Sequence, residues 1–214
     1  MPVRHCLFAR LRFVAFVIGS VASASVWSQS ARALADFGAQ RPSPEVRHVA
    51  NWALETGDSG GRALIIVDKQ YARVFVLDAA GRLQGVSPAL LGSARGDHTA
   101  PGVGDKPLSQ IRPDERTTPA GRFMARPGFN AQGEDIVWVD YPSAVSMHRV
   151  RARVQAERRL ERLASATPAD NRISYGCINL PRLFYENVVA PWARSGAVIY
   201  VLPETRTLYE VFGA

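Results

Sequence analysis

The chain has 214 residues, 47% of them hydrophobic, which is enough for one domain with a sizeable core and an appendage. Its formal net charge is +7, but four arginines and no acid lie in the first 35 residues, so the rest carries only +3. That charge is too small to indicate nucleic acid as a partner. No CxxC, HExxH or Walker A pattern occurs, so the sequence predicts no metal site and no cofactor.

Residues 1–35 have the pattern of a secretory signal peptide. Arginines at positions 4, 10 and 12 precede a short apolar run, Phe13–Val21, and small-residue cleavage sites end at Ala24 and Ala35. We predict cleavage after Ala35 and export to the periplasm or cell envelope. The apolar run is shorter than the ~20 residues of a membrane span. No stable membrane insertion is therefore expected after cleavage, with a retained N-terminal anchor as the alternative.

The next part of the chain predicts one helix and then a β-meander. Residues 36–61 form a lead-in with a short helix over Glu45–Glu55. Strands are predicted over Ala63–Asp68, Arg73–Asp78 and Arg82–Leu91, joined by tight turns. Because no helix of 10–15 residues separates them, a doubly wound parallel sheet is disfavoured.

The second half alternates strands with loops and helices. A long polar loop (92–117) leads to further predicted elements: strands Arg122–Arg126, Asp135–Asp140 and Ala144–Val150, a basic helix Arg149–Ala164, a helix Arg182–Ala193, a strand Ala197–Leu202 and a helix Glu204–Phe212. The predicted class is mainly β with flanking helices (α+β). The basic helix is either a solvated surface helix or a lid that contacts an anionic polymer.

Cys177 is the candidate reactive residue. With Cys6 in the predicted signal peptide, the exported protein would hold one thiol with no disulfide partner in an oxidising compartment. Ser174 and Gly176 are small, so the backbone can turn tightly and a reacting carbonyl can approach the thiol. The alternative is a buried structural cysteine that packs as a small hydrophobe.

A cysteine nucleophile needs a base, usually a histidine that a third group orients. The chain after the signal peptide offers His48, His98 and His148. His48 lies in the lead-in helix and His98 in the long loop. His148 ends a predicted strand, which is the more rigid platform, so we predict that His148 is the base.

Three segments resemble the L,D-transpeptidase (YkuD-type) catalytic domain. Ser174–Asn179, read Ser-Tyr-Gly-Cys-Ile-Asn, is similar to the family motif Ser/Thr-His-Gly-Cys followed by an apolar residue and Arg or Asn. His148 matches the family's base, and Thr118–Phe123 resembles its Thr-Pro-x-Gly-x-Phe segment. The resemblance covers residues 62–203, leaves 204–214 as a tail, and implies a β-sandwich or meander of that family's type.

Two features depart from the family pattern. Tyr175 stands where the family usually has a second histidine, which can alter the environment of the thiol or the choice of substrate. The spacing of 29 positions from His148 to Cys177 exceeds the usual one, and the basic helical insertion (149–171) fills the difference. This insertion would lie beside the site, as a lid would.

The resemblance implies a peptidoglycan L,D-transpeptidase that forms 3→3 cross-links through a cysteine acyl-enzyme and releases D-alanine. Cys177 would attack and His148 would move the proton. Backbone N–H groups of Gly176 and Cys177, joined by Tyr175, would bind the oxyanion. Ser174 would make local hydrogen bonds, and Asn179 would shape the turn or contact the substrate. Arg172 would meet a substrate carboxylate, with a surface arginine as the alternative. The partners would be peptidoglycan stem peptides, and a monomer is expected.

Three other functions remain open from the sequence. Water instead of an amine could resolve the thioester, giving a wall carboxypeptidase or endopeptidase. Tyr175 favours a catalytically silent peptidoglycan-binding domain, whereas the presence of both Cys177 and His148 opposes it. A redox-sensing thiol would instead show reversible oxidation without peptide turnover.

Overall fold

The computed structural model describes Met1, Val3 and residues 34–214. The predicted signal peptide, apart from four of its residues, lies outside the described residues. The chain divides into two units, Met1–Ala31 and Arg32–Ala214, and all described secondary structure belongs to the second. Within the described residues, no helix has the length and apolar character needed to cross a membrane.

The second unit is built mostly from strands with a few short helices. Its strands are β1 (Ala63–Asp68), β2 (Arg73–Leu77), β3 (Leu83–Pro88), β4 (Leu91–Gly92), β5 (Gly121–Met124), β6 (Arg126–Phe129), β7 (Asp135–Asp140), β8 (Val145–Arg149), β9 (Arg172–Ser174), β10 (Ile178–Leu180) and β11 (Ala197–Val201). Its α-helices are α1 (Pro44–Glu55), α2 (Arg159–Ala164), α3 (Arg182–Phe184), α4 (Ala190–Arg194) and α5 (Leu208–Phe212). The predicted mixed class, mainly β with flanking helices, is confirmed.

The strands form two main sheets and one small one. The first sheet has the order β3-β2-β1-β11-β5, in which only β1 and β11 are parallel. The second has the order β10-β8-β7-β6, in which β10 and β8 are parallel. A short parallel pair, β4 and β9, forms the third. The predicted meander is strands β1 to β3.

The first sheet is covered on both faces, because its strands are apolar at successive positions. Alternate residues pack against the second sheet: Ile65, Val67, Val74, Val76, Ile199 and Val201 from the first sheet meet Val137, Val139, Val145, Met147, Ile178 and Leu180 from the second. The intervening residues, among them Leu64 and Ile66, pack beneath α1. Each fully buried aliphatic side chain contributes about 1.5–3 kcal/mol, so both layers stabilise the sandwich.

Two predicted elements have the expected places with altered bounds. Helix α1 begins where Pro44 follows Ser43, whose Oγ accepts a hydrogen bond from Val46 N at 3.3 Å. The predicted strand over residues 82–91 ends instead at Pro88, after which Leu90 exchanges two backbone hydrogen bonds with Asn179. The chain therefore leaves the first sheet here and reaches the strand that follows the cysteine.

The predicted basic helix over residues 149–164 is wrong except for its last turn and a half. Residues 150–154 are irregular, Gln155–Glu157 form a 3₁₀ turn, Arg158 has φ +49°, and only α2 is α-helical. The arginines at 149, 151 and 153 recur every second residue, and in an extended chain they reach carboxylates of Asp135, Glu186 and Glu134. A spacing of two residues is typical of extended backbone. In the folded chain this pattern prevails over the helical periodicity that predicted a helix here.

The predicted helix over residues 182–193 is helical but not uniformly α. A π-helical turn, Tyr185–Val189, separates α3 from α4, and Ala190 N donates to Tyr185 O. Pro191 lacks an N–H and its ring would crowd the carbonyl four residues earlier, so a wider turn relieves the contact. The predicted helix over residues 204–212 is shorter than expected, with only α5 helical.

Candidate functional site

The candidate site is built on two neighbouring parallel strands, β8 and β10. Their register pairs Ile178 with Met147 and Asn179 with His148, and Cys177 immediately precedes β10. Because side chains alternate along a strand, Met147 and Ile178 point into the core, where both are fully buried. The other face of the same two strands presents Ser146, His148, Cys177 and Asn179 together.

The Cys177 thiol is half-buried among polar groups. Its Sγ lies 3.6 Å from Ser146 Oγ and 3.7 Å from the carbonyl oxygen of Ala144. Burial raises the pKa of Cys177, but the hydrogen bond and charge of His148 outweigh burial, so the net pKa is lowered. A thiolate is therefore easier to form here than on an ordinary cysteine.

His148 is held in one tautomer by the backbone. Its Nδ1 lies 2.8 Å from the carbonyl oxygen of Arg149. A carbonyl only accepts, so Nδ1 carries the hydrogen and Nε2 of the neutral ring presents a lone pair. The third group that orients the ring is therefore the backbone carbonyl of Arg149.

The other two described histidines lie elsewhere. His48 is exposed on α1, and His98 is exposed in the loop before β5. The backbone carbonyl of His98 accepts from Thr117 Oγ1 at 2.6 Å. Of the three, His148 is the one whose hydrogen bond and charge lower the pKa of the Cys177 thiol.

The turn before Cys177 depends on Gly176. This residue has φ +124°, and a Cβ on it would lie 2.8 Å from Thr117 O. Ser174 Oγ accepts from Gly176 N at 3.1 Å and donates to Cys177 O at 2.6 Å. These two contacts are local hydrogen bonds of the kind predicted for Ser174. The N–H of Gly176 is already bonded to Ser174, which takes it away from the predicted oxyanion role.

Thr118 fastens this turn to the neighbouring loop. Its side chain is fully buried, and its Oγ1 donates to Gly176 O at 2.8 Å while accepting from Gly92 N at 2.9 Å. The backbones at Gly92 and Arg116 approach each other so closely that a Cβ on Gly92 would lie 2.2 Å from Arg116 O. The segment that resembles the family's Thr-Pro-x-Gly motif thus contacts the cysteine turn directly.

The ring of Tyr175 makes a cation–π contact with Arg116 of the long loop. The Arg116 guanidinium stands 4.2 Å from the centre of the Tyr175 ring and donates to Ile111 O at 3.1 and 3.3 Å. Such a contact contributes about 0.5–2 kcal/mol. The loop itself holds three 3₁₀ turns, Val103–Asp105, Leu108–Gln110 and Pro113–Glu115, so it has regular structure of its own.

Asn179 is buried and contacts both candidate catalytic residues. Its Nδ2 lies 3.3 Å from His148 Nε2 and 3.4 Å from Cys177 O. Its Oδ1 accepts from Arg159 Nη1 at 2.5 Å, and Arg159 Nε binds Glu157 at 2.5 Å. The insertion therefore reaches the site through Arg159, a residue the sequence did not single out.

The prediction that Arg172 meets a substrate carboxylate is wrong. Its guanidinium binds Glu204 at 2.6 Å and Lys69 O at 2.8 Å, and its side chain is only 9% exposed. Glu204 in turn lies 3.7 Å from the fully buried Lys69 Nζ, which binds Asp97 at 2.7 Å. This network joins the C-terminal tail to the loop that carries Asp97, so Arg172 has a structural partner.

A cavity of about 480 Å³ opens beside His148. Besides that histidine, ionic side chains and one aromatic ring line it: Phe129, Glu134, Asp135, Arg149, Arg151, Arg182 and Glu186. Its wall thus carries both signs of charge, as a ligand with an amine and a carboxylate would require. Within residues 34–214, no group of three or more His, Cys, Asp or Glu side chains could hold a metal ion.

No protein-family model and no curated protein matches the sequence. Solved structures similar to the chain include L,D-transpeptidases. One is LdtMt1 in complex with imipenem, with 19% identity, a TM-score of 0.38, and coverage of 65% of this chain and 58% of that one. Another is from Mycobacterium smegmatis, at 18% identity and a TM-score of 0.38, covering 66% and 58%. A third is from Xylanimonas cellulosilytica, at 15% identity and a TM-score of 0.40, covering 71% and 68%.

The chain therefore spans less than two thirds of the length of the first two structures. With TM-scores below 0.5, these similarities do not establish a shared activity. What bears on function is the set of side chains on β8 and β10 and the motifs that carry them.

Sequence reasoning missed Thr118 and Arg159 as individual site residues. Thr118 had a signal, since it begins the segment that resembles the family's Thr-Pro-x-Gly motif. Arg159 had none, because it is one of several arginines in the insertion. Its place 2.5 Å from Asn179 follows only from how the insertion folds back.

Proposed function

We propose that this protein is a cysteine-dependent acyltransferase of the L,D-transpeptidase kind that acts on peptidoglycan stem peptides. The observation that carries the proposal is the Cys177–His148 pair, in which the histidine is oriented by the Arg149 carbonyl. The resemblance of Ser174–Asn179 and Thr118–Phe123 to that family's motifs supports the choice of substrate. Residues 1–35 would direct export to the periplasm or cell envelope.

The first half-reaction forms a thioester. Cys177 Sγ would attack the carbonyl at the L-centre of the third residue of a tetrapeptide stem while His148 Nε2 takes the thiol proton. The same nitrogen then gives that proton to the amine of the departing D-alanine. The N–H of Cys177 would bind the oxyanion, because the N–H of Gly176 is bonded to Ser174. Losing one such donor typically costs about 2.7–4 kcal/mol.

The second half-reaction transfers the acyl group to an amine. The cavity beside His148 supports entry of this acceptor, because the proposed base is among the residues that line it. Arg182, whose side chain is 76% exposed, and its partner Glu186 offer opposite charges to a carboxylate and an amine. The product would be a 3→3 cross-link.

Intact mass spectrometry after incubation with a carbapenem, and separately with a tetrapeptide muropeptide, tests the first half-reaction. We expect a covalent adduct that Cys177→Ala abolishes, and a much slower acylation in His148→Ala than in His98→Ala. If both histidine variants acylate alike, the base is wrongly assigned. If Cys177→Ala still turns over the muropeptide, the nucleophile is wrongly assigned.

A wall peptide hydrolase is the second candidate, and the openness of His148 to a cavity favours it. Water in that cavity would lie as close to the base as an amine would. Muropeptide products separate the two functions: a dimer of two stems marks transfer, whereas a tripeptide without a dimer marks hydrolysis. A catalytically silent wall-binding domain would keep its affinity for peptidoglycan in Cys177→Ala and form no adduct.

A further inference from the structure

The carboxamide of Asn179 has only one orientation that satisfies its neighbours. Arginine only donates hydrogen bonds, so the atom 2.5 Å from Arg159 Nη1 must be the oxygen. A backbone carbonyl only accepts, so the atom 3.4 Å from Cys177 O must be the nitrogen. These two contacts fix the amide independently of the histidine. Its N–H then points at His148 Nε2, 3.3 Å away.

We propose that Arg159, which belongs to the insertion, is a positioning residue that locks the Asn179 amide so that its N–H, and not its oxygen, faces His148 Nε2 and opposes a second hydrogen on the ring. The inference rests on the proposed role of the Cys177–His148 pair. Arg159 does not touch the thiol or a substrate, and it acts through Asn179.

The hydrogen bonds run in one direction through four groups. Arg159 donates to Asn179, Asn179 donates to His148 Nε2, and His148 Nδ1 donates to the Arg149 carbonyl. A hydrogen on Nε2 would face the amide N–H, donor against donor. The contact between Arg159 and Asn179 therefore disfavours a second hydrogen on the ring, which is the form that would pair with a thiolate.

The contact between Arg159 and Asn179, called the lock below, is rigid because the rest of the protein encloses both side chains. Asn179 is 1% exposed and the side chain of Arg159 is 13% exposed. Glu157 binds Arg159 Nε at 2.5 Å and neutralises its charge, so the hydrogen bond, more than the net charge, distinguishes this arginine. Arg158, its neighbour in the chain, is 70% exposed and pairs with Glu161.

Other charged groups also surround the histidine and are the same in every variant of the test. They line the cavity with His148: Glu134, Asp135, Arg149, Arg151, Arg182 and Glu186. Most are paired with one another, as Arg149 is with Asp135 and Glu186. A change seen on replacing Arg159 alone is therefore not due to them.

The test measures the rate of alkylation of Cys177 by iodoacetamide against pH, which needs no transpeptidase activity. Arg159→Met removes both the hydrogen-bond donor and the charge. Without the lock the Asn179 amide can turn its oxygen to a protonated Nε2, which favours the thiolate. We expect the alkylation midpoint of Arg159→Met to fall by about 0.7 pH unit, equivalent to one net hydrogen bond.

Matched variants separate positioning from charge and from folding. The surface control Arg158→Met should keep the wild-type midpoint. In an Asn179→Ala background, Arg159→Met should cause no further shift, because its target is gone. An unchanged midpoint in Arg159→Met overturns the proposal, as does a shift of the same size in the Asn179→Ala background, which would mean that only charge matters. Muropeptide turnover by the wild type is measured in parallel and bears on the proposed function alone.

Discussion

Thr118→Val should show how strongly the cysteine turn depends on one hydroxyl. Valine has nearly the shape of threonine but no hydroxyl, so it leaves two buried backbone groups without their partner. These are the C=O of Gly176 and the N–H of Gly92, now bonded to Thr118 Oγ1 at 2.8 and 2.9 Å. The side chain is 0% exposed, so water has no ready access to either group.

The expected cost follows from those two groups. An unsatisfied buried donor or acceptor costs about 1–3 kcal/mol, so we expect a loss of about 3 kcal/mol in the free energy of unfolding. The neighbouring variant Thr117→Val is the control. It removes one hydrogen bond, to the carbonyl of the exposed His98, which water can replace, so about 1 kcal/mol or less is expected.

Urea unfolding of both variants measures the difference in their free energies of unfolding, provided that these depend equally on urea concentration. A loosened turn should also slow acylation of Cys177 by a carbapenem in Thr118→Val and leave it nearly unchanged in Thr117→Val. If the two variants lose the same stability, Thr118 does not fasten the turn in the way its contacts suggest. Thr118→Ser, which keeps the hydroxyl, should restore the rate of acylation.

Three further predictions concern the thiol, the buried ion pair and the turn. In His148→Ala, burial of Cys177 remains but its stabilising partner is lost, so the lowered pKa of the thiol should rise; alkylation rates against pH measure this. Burial acts to raise the pKa of Asp97, but hydrogen bonds from Lys69 and the C-terminal tail lower it overall. The contribution of ionised Asp97 to the free energy of unfolding should therefore be complete above about pH 3.9 and be lost as pH falls through the depressed pKa. Urea unfolding at pH 3 and pH 7 should show this acid loss in the wild type, while Asp97→Asn lacks it and is about 3 kcal/mol less stable at pH 7, because Lys69 stays buried and keeps only the more distant carboxylate of Glu204. Gly176→Ala should be less stable by about 1–3 kcal/mol, since φ +124° and a 2.8 Å contact both oppose a Cβ; a wild-type thermal midpoint would contradict this.

The sequence alone determined the elements whose signals are local. The meander β1–β3 follows from apolar runs separated by tight turns, and helix α1 follows from its capping serine and proline. The tight turn at Cys177 was predictable from its small neighbours. The position of His148 near the end of a strand was also predictable. In each case, residues adjacent in the chain carry the constraint.

Only the tertiary structure decided how distant residues meet at the site. Thr118 and Gly176 are 58 residues apart, and Arg159 and Asn179 are 20 apart, yet each pair shares a hydrogen bond. The sequence placed Arg172 at a substrate, whereas Glu204, 32 residues later, takes its charge. Helical periodicity also predicted the wrong structure for residues 149–158, where ion pairs with Glu134, Asp135 and Glu186 hold the start of the insertion extended. Which partner a polar side chain finds is set by the packing of the sheets, because only packing brings remote donors and acceptors within about 3 Å.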